Sequence, residues 1–220
     1  MICIKNFLTI LVTFFLILSC VLTAQEGKAL QEDSKNSLIS GSRSLQFRIS
    51  NNLTLTSFEG AMISAKKHFT SNSALRFGLG LDIRSGQEDY GAVEEDDNLF
   101  ELELIAQYIY YTSPKAPVNL YLGTGPQFTY NRHVQDRNYE ETGEDAAWQY
   151  DRSWTIGLLA TFGVEWFAIE NISFFCEYGA SIGYQSRYME STPYQGYQDQ
   201  ETTQFRLSSQ TVDFGLSVYF

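Results

Sequence analysis

Cysteine, histidine, proline and long apolar runs are all scarce in this chain, and each scarcity closes off a class of protein. The three cysteines are Cys3, Cys20 and Cys176, and two of them fall within the first 24 residues. None is spaced as a metal ligand, and one remaining cysteine cannot close an internal disulfide. Cys176 reads as a small apolar residue facing lipid. Two histidines, His68 and His133, leave little for metal or acid–base chemistry. Four prolines in 220 residues leave long stretches free to form backbone ladders. A helical membrane protein would need several apolar runs of about 20 residues. Here there is one, Phe7 to Leu18, at the N-terminus. Basic residues are short too: 15 Lys and Arg stand against 26 Asp and Glu, for a net charge of −11. Phosphate backbones need a basic surface, so nucleic acid is excluded as a partner.

What the chain does have is a leader. Lys5 supplies a positive start, Phe7 to Leu18 an apolar core, and Ala24 a cleavage position. Residues 1–24 therefore read as a secretory signal peptide, with a mature start at Gln25. A lipoprotein signal with Cys20 as the lipidated residue is the rival reading. Residues 25–43 are small and polar, and are expected to form a flexible periplasmic segment. Residues 44–220 form one domain.

Within that domain the dominant period is two, the mark of strands with unlike faces. From Trp154 to Trp166 one face carries Trp154, Ile156, Leu158, Ala160, Phe162, Val164 and Trp166. The other carries Thr155, Gly157, Leu159, Thr161, Gly163 and Glu165. Similar alternation runs through 74–84, 99–111, 118–132, 174–186 and 203–220, and more weakly through 44–50 and 54–67. The total is eight strands.

Alternation alone does not say which face is buried. A soluble sandwich puts the apolar face inward, and a membrane barrel puts it outward against lipid. Three features favour the barrel. The polar face holds glycines and charges of both signs: Arg48, Lys66, Arg76, Asp82, Glu101, Glu103, Glu165, Glu177 and Asp213. These are expected to pair across a narrow lumen. Aromatics gather at strand ends and predict girdles at the headgroup level. Tyr108, Tyr110, Trp166, Phe174 and Phe220 mark one girdle, together with Tyr111, Phe167 and Tyr219. Trp154 and Tyr184 mark the other, with Tyr130 and Phe205. Finally, connections alternate in length. HFTSNS, TSPKAP and AIENIS are tight turns, whereas 85–98, 134–153 and 187–202 read as long polar loops.

The chain ends on Asp213, Gly215, Val218 and Phe220, at offsets that resemble the assembly signal of outer-membrane proteins. With the strands before it, the domain resembles the small eight-stranded outer-membrane barrels of the outer-membrane protein A-like and X-like kind. The resemblance implies an eight-stranded antiparallel up-and-down transmembrane barrel in the outer membrane. In it, periplasmic turns are expected to be short and extracellular loops long and acidic. It also implies the barrel-assembly machinery as a partner during insertion, and outer-membrane lipids and lipopolysaccharide thereafter. Members of this kind serve in adhesion, envelope integrity and host interaction, and in a few branches in lipid A modification.

More than half of the acids fall in the three long polar segments. They read as a solvated surface. Glu94, Glu95, Asp96 and Asp97 are the candidate for a weak divalent-cation site, since carboxylates suit Ca²⁺ or Mg²⁺. A lipid A-modifying reading would need His133 to combine with Ser153 and with Asp136 or Asp151, but no motif ties them together. No catalytic residue, cofactor or metal site is assigned. Eight strands enclose a space that side chains fill, so no open pore is expected. The expected role is structural or surface-interacting. A lipid A-modifying or ligand-binding barrel, a soluble barrel lipoprotein and an external ligand stay open.

Overall fold

The computed structural model describes residues 36–49, 62–89, 93–139, 147–192 and 198–220. The leader, Cys20 and the first hairpin connection near Asn51 lie outside the described residues. Eight strands follow in chain order: β1 (Arg43–Ile49), β2 (Met62–His68), β3 (Ser73–Asp89), β4 (Val93–Tyr111), β5 (Val118–Tyr139), β6 (Ala147–Ile169), β7 (Ile172–Ser191) and β8 (Gln198–Tyr219). Each pairs antiparallel with its neighbour. β1 pairs with β8, from Ser44 opposite Tyr219 to Ile49 opposite Phe214, and so closes the barrel. Closure joins the two ends of the sheet over Ser44–Ile49 and Phe214–Tyr219, so neither β1 nor the end of β8 is left as a free edge there.

The period-two faces sort as the sequence predicts, with the apolar face outside. Phe77 is 55% exposed, Leu79 51% and Phe214 59%, whereas Arg76 is 3% and Glu165 0% exposed. A soluble protein does not present an apolar surface of this extent to water. Cys176 also points outward, half-buried and unpaired.

The tight turns at one end are those read from the sequence: 69–72, 112–117 and 170–171. At the other end the expected long loops are for the most part strand. β3 runs on to Asp89 and β4 starts at Val93, pairing Asp89 with Glu94. Likewise, β5 reaches Tyr139 before β6 begins at Ala147, and β7 reaches Ser191 before β8 begins at Gln198. Beyond the apolar belt both faces meet water. The ladder continues without a contrast between faces, and polar composition then reads as loop. β5 has 22 residues and β6 has 23, about twice the 9–11 that a tilted strand needs to cross a bilayer.

Two further corrections concern irregular points. Residues 36–42, placed by the sequence in a flexible segment, pack against the turn end, with Asn36 and Leu38 buried. In β8 the register slips by one residue, from Tyr178 opposite Val212 to Ala180 opposite Ser209. A bulge of this kind reverses the alternation. Asp213 and Ser217 point inward on one side of it, and Arg206 and Ser208 on the other.

Candidate functional site

The interior of the barrel is the densest concentration of polar chemistry in the molecule, and it is layered along the axis. At the turn end, Asn36 donates from Nδ2 to the carbonyls of Pro114 at 2.8 Å and Ala116 at 3.0 Å. It thereby holds Leu38 against Ala74, Ile109, Tyr111, Tyr121, Phe167 and Tyr219, which form one buried cluster. His68, read from the sequence as the first residue of the tight turn HFTSNS, is the last residue of β2. It is wholly buried between the rings of Tyr111 and Tyr219.

Above that cap lies Glu165, which is fully buried and surrounded by donors. Lys66 Nζ reaches it at 3.0 Å, Tyr111 Oη at 2.6 Å, Ser173 Oγ at 2.6 Å and Tyr219 Oη at 2.8 Å. A buried carboxylate is tolerable only when its lone pairs are satisfied in this way. The next layer pairs Arg76 with Glu177 at 2.8 Å, and Tyr121 Oη donates to the same carboxylate at 2.9 Å. Arg76 also donates to Gln107. Met62, Ile105 and Leu159 make a small apolar layer. Arg48 then bridges Glu103 at 3.1 Å and Asp213 at 3.3 Å. Asp82 pairs with Arg84 at 2.6 Å, and Glu101 accepts from Asn131 at 3.4 Å. Of these charged residues Lys66, Arg76, Asp82, Glu165, Glu177 and Asp213 are buried, and Arg48, Glu101 and Glu103 are half-buried. The contacts of Lys66 with Glu165, Arg76 with Glu177 and Arg48 with Glu103 each join strands that are not neighbours in the sheet.

Aromatic residues fill the gaps that glycines leave. The ring of Tyr121 lies where a side chain on Gly163 would project, and Phe175 lies likewise over Gly215. Gly163 is the register partner of Tyr121, and Gly215 that of Phe175. This large-beside-small arrangement gives Gly215 of the C-terminal motif a packing reason. Asp213 of the same motif binds Arg48, while Val218 and Phe220 face outward.

Of the girdle residues, Tyr108, Tyr110, Trp154, Trp166, Phe174, Tyr184 and Phe220 do lie on the outer wall. Trp166 stacks on Phe174 with centroids 5.9 Å apart, and Trp154 approaches Tyr184 at 5.7 Å. Tyr111, Phe167 and Tyr219 do not belong with them: all three are buried in the lumen. Their parity carried the signal, because each continues the polar face of its strand, after Gln107, Glu165 and Ser217. Aromatic identity outweighed parity in the sequence reading. The two tyrosine partners of Glu165 are hidden from the sequence for that reason.

Toward the hairpin end the lumen opens into a polar cavity of about 320 Å³. Its walls include Glu101, Gln127, Asn131, Thr155, Gln185 and Arg206. At the hairpin rim His133 Nε2 lies 2.5 Å from Asp97, and Arg187 binds Asp151. His133, Asp151 and Ser153 share inward parity, so none meets lipid, and neither Asp136 nor Ser153 bonds to His133. The arrangement expected of a lipid A-modifying site is not assembled.

Glu94, Glu95, Asp96 and Asp97 lie on strand β4, not on a loop. Successive residues of a strand face opposite ways, which sets Asp96 on the other face from Glu95 and Asp97. Gln135 takes Glu95 and His133 takes Asp97. Among the described residues no cluster of three or more His, Cys, Asp or Glu could hold a metal ion.

A closed eight-stranded barrel with an apolar wall and a salt-bridged filling has the fold of the small outer-membrane β-barrels. Comparison with solved structures agrees. The major outer membrane protein from Thermus thermophilus matches over 82% of this chain and 100% of its own, at 12% identity and a TM-score of 0.50. CarO2 of Acinetobacter baumannii matches over 83% of this chain and 99% of its own, at 11% identity and 0.45. Ail, the attachment invasion locus protein of Yersinia pestis, matches over 83% and 100%, at 10% identity and 0.40. At 12% identity the likeness to the Thermus protein speaks to the fold alone. No family model matches the chain, and no curated protein matches it in sequence.

Proposed function

We propose that this chain is an integral outer-membrane barrel with a closed lumen, acting as a non-enzymatic structural or surface-interaction protein. The observation that carries the reading is the filled interior. Three layers of ion pairs and a cap made by Asn36 and Leu38 stand between the turn end and the polar cavity. In this reading the leader is cleaved, the turns face the periplasm, and the extended hairpins face outward. The end of β8, with Asp213, Gly215, Val218 and Phe220, serves barrel assembly. A C-terminal strand that must pair with β1 suits recognition by strand addition.

Heat-modifiable migration of the folded chain in detergent, combined with cell fractionation, tests placement. Recovery in the soluble fraction would overturn it. Planar-bilayer recording tests closure, and the expected record shows no stable conductance. A steady open channel would mean that the layers of ion pairs are not the packed state. The polar cavity near the hairpin end favours one second reading, a small polar ligand bound within the rim.

A further inference from the structure

The register of β5 against β6 sets Arg132 directly opposite Arg152. Both belong to the outward parity of their strands, since the inward positions around them are Asn131, His133, Asp151 and Ser153. Both side chains are exposed. Like charges facing each other across adjacent strands repel and destabilise a sheet. Neither guanidinium has a carboxylate partner among the described residues. Each instead lies over an aromatic ring of the next strand. Arg132 sits 5.6 Å from the ring centre of Tyr150, and Arg152 5.8 Å from that of Tyr188. The rings fix where the two cations sit and, among the described residues, nothing fills their hydrogen-bonding edges.

Their height on the barrel is informative. One step toward the belt on the same face stand Tyr130 and Trp154, which are register partners in the aromatic girdle. Below those come Phe128 and Ile156, also partners, on the apolar wall. The arginine pair is therefore one row above the girdle, where lipid headgroups lie. Guanidinium groups bind phosphate oxygens through paired parallel hydrogen bonds, and two such groups side by side suit a phosphate monoester or a pair of phosphates. A small free anion would be repelled by a chain with net charge −11. A lipid phosphate would be delivered by its own acyl chains along the apolar wall.

We propose that Arg132 and Arg152, held by Tyr150 and Tyr188, form a binding site for the phosphorylated headgroup of an outer-leaflet glycolipid. The site rests on the membrane placement proposed above. Its test uses the folded full-length mature chain in nanodiscs, with bis-phosphorylated lipid A and its dephosphorylated counterpart as probes, read by native mass spectrometry. The wild type is expected to prefer the phosphorylated lipid by about tenfold or more, as charge-assisted bonds to phosphate imply. R132Q/R152Q is expected to lose that preference. R43Q/K67Q, on the outward face at the opposite rim, is expected to keep it. R132K/R152K, which keeps charge and removes the fork, should fall between.

Heat-modifiable migration is read first for every variant. A wild type that does not show it overturns the membrane placement. Intact migration without any lipid preference overturns the site alone. An unchanged preference in R132Q/R152Q would also overturn it, as would displacement of the lipid by millimolar inorganic phosphate. If R132Q/R152Q does not fold, the single variants R132Q and R152Q carry the same test.

Discussion

Arg76 and Glu177 show what a buried pair requires of individual residues. Both are almost wholly enclosed, and transferring either charge alone from water would cost several kcal/mol. Their 2.8 Å contact offsets part of that cost, and Tyr121 and Gln107 satisfy further atoms of the pair. Losing one partner should therefore harm the barrel more than losing both. Arg76→Met is expected to lower stability by about 3–5 kcal/mol, read as the urea midpoint of refolded protein. Arg76→Met/Glu177→Met should recover a large part of that loss. A double variant as unstable as the sum of its singles would show that the pair is not coupled. The same logic explains why Glu165 has four donors around it: Lys66 alone fills only part of its acceptor capacity.

At the scale of elements, two segments behave unlike their composition. Residues 36–42 are polar and small, yet Asn36 ties them to the turn between β4 and β5 and lets Leu38 enter the aromatic cluster. One leucine in a polar stretch gives no periodic signal, so only the packed barrel shows that it has a pocket. Leu38→Ala is expected to cost about 2–5 kcal/mol, as buried leucine truncations do. Urea titration checks this, and a loss below 0.5 kcal/mol, a rough limit for surface substitutions, would mean that the segment is a loose cover. The second case is the extended hairpins. Trp148, Tyr150, Tyr188 and Thr202 are good strand formers and pair with Asp136, Glu190, Arg152 and Arg187 on neighbouring strands. Charged neighbours disguise them as loop. Within β5, Pro126 has no N–H to give, and the ladder to β4 skips the pairs around Gly125 and Pro126 before resuming in register.

For the whole molecule the decisive property is inversion, with charge inside and hydrocarbon outside. Cys176 offers a direct measure of it, because it sits on the apolar wall one outward position in from the girdle residue Phe174, opposite Phe214. In the folded mature chain in liposomes, a bilayer-partitioning maleimide is expected to label Cys176, whereas a charged maleimide is not. Unfolding should open the thiol to both. Labelling by neither reagent in the folded state would place the thiol in a closed core and contradict the inversion.

The sequence by itself carried the strand count, the alternation of apolar and polar faces away from the bulge in β8, and the tight turns. It could do so because a period of two is a local property, written residue by residue along each strand. Which carboxylate each cation takes was not local. Lys66 meets Glu165, Arg76 meets Glu177 and Arg48 meets Asp213 only because closure of β1 on β8 brings distant parts of the chain together around a narrow lumen. The surroundings of Tyr111, Phe167 and Tyr219 were decided there too: the two tyrosine hydroxyls meet buried Glu165, and Phe167 joins the apolar cluster around Leu38. So was the meeting of Arg132 with Arg152, which are 20 positions apart in the chain and face each other only through the register of β5 and β6.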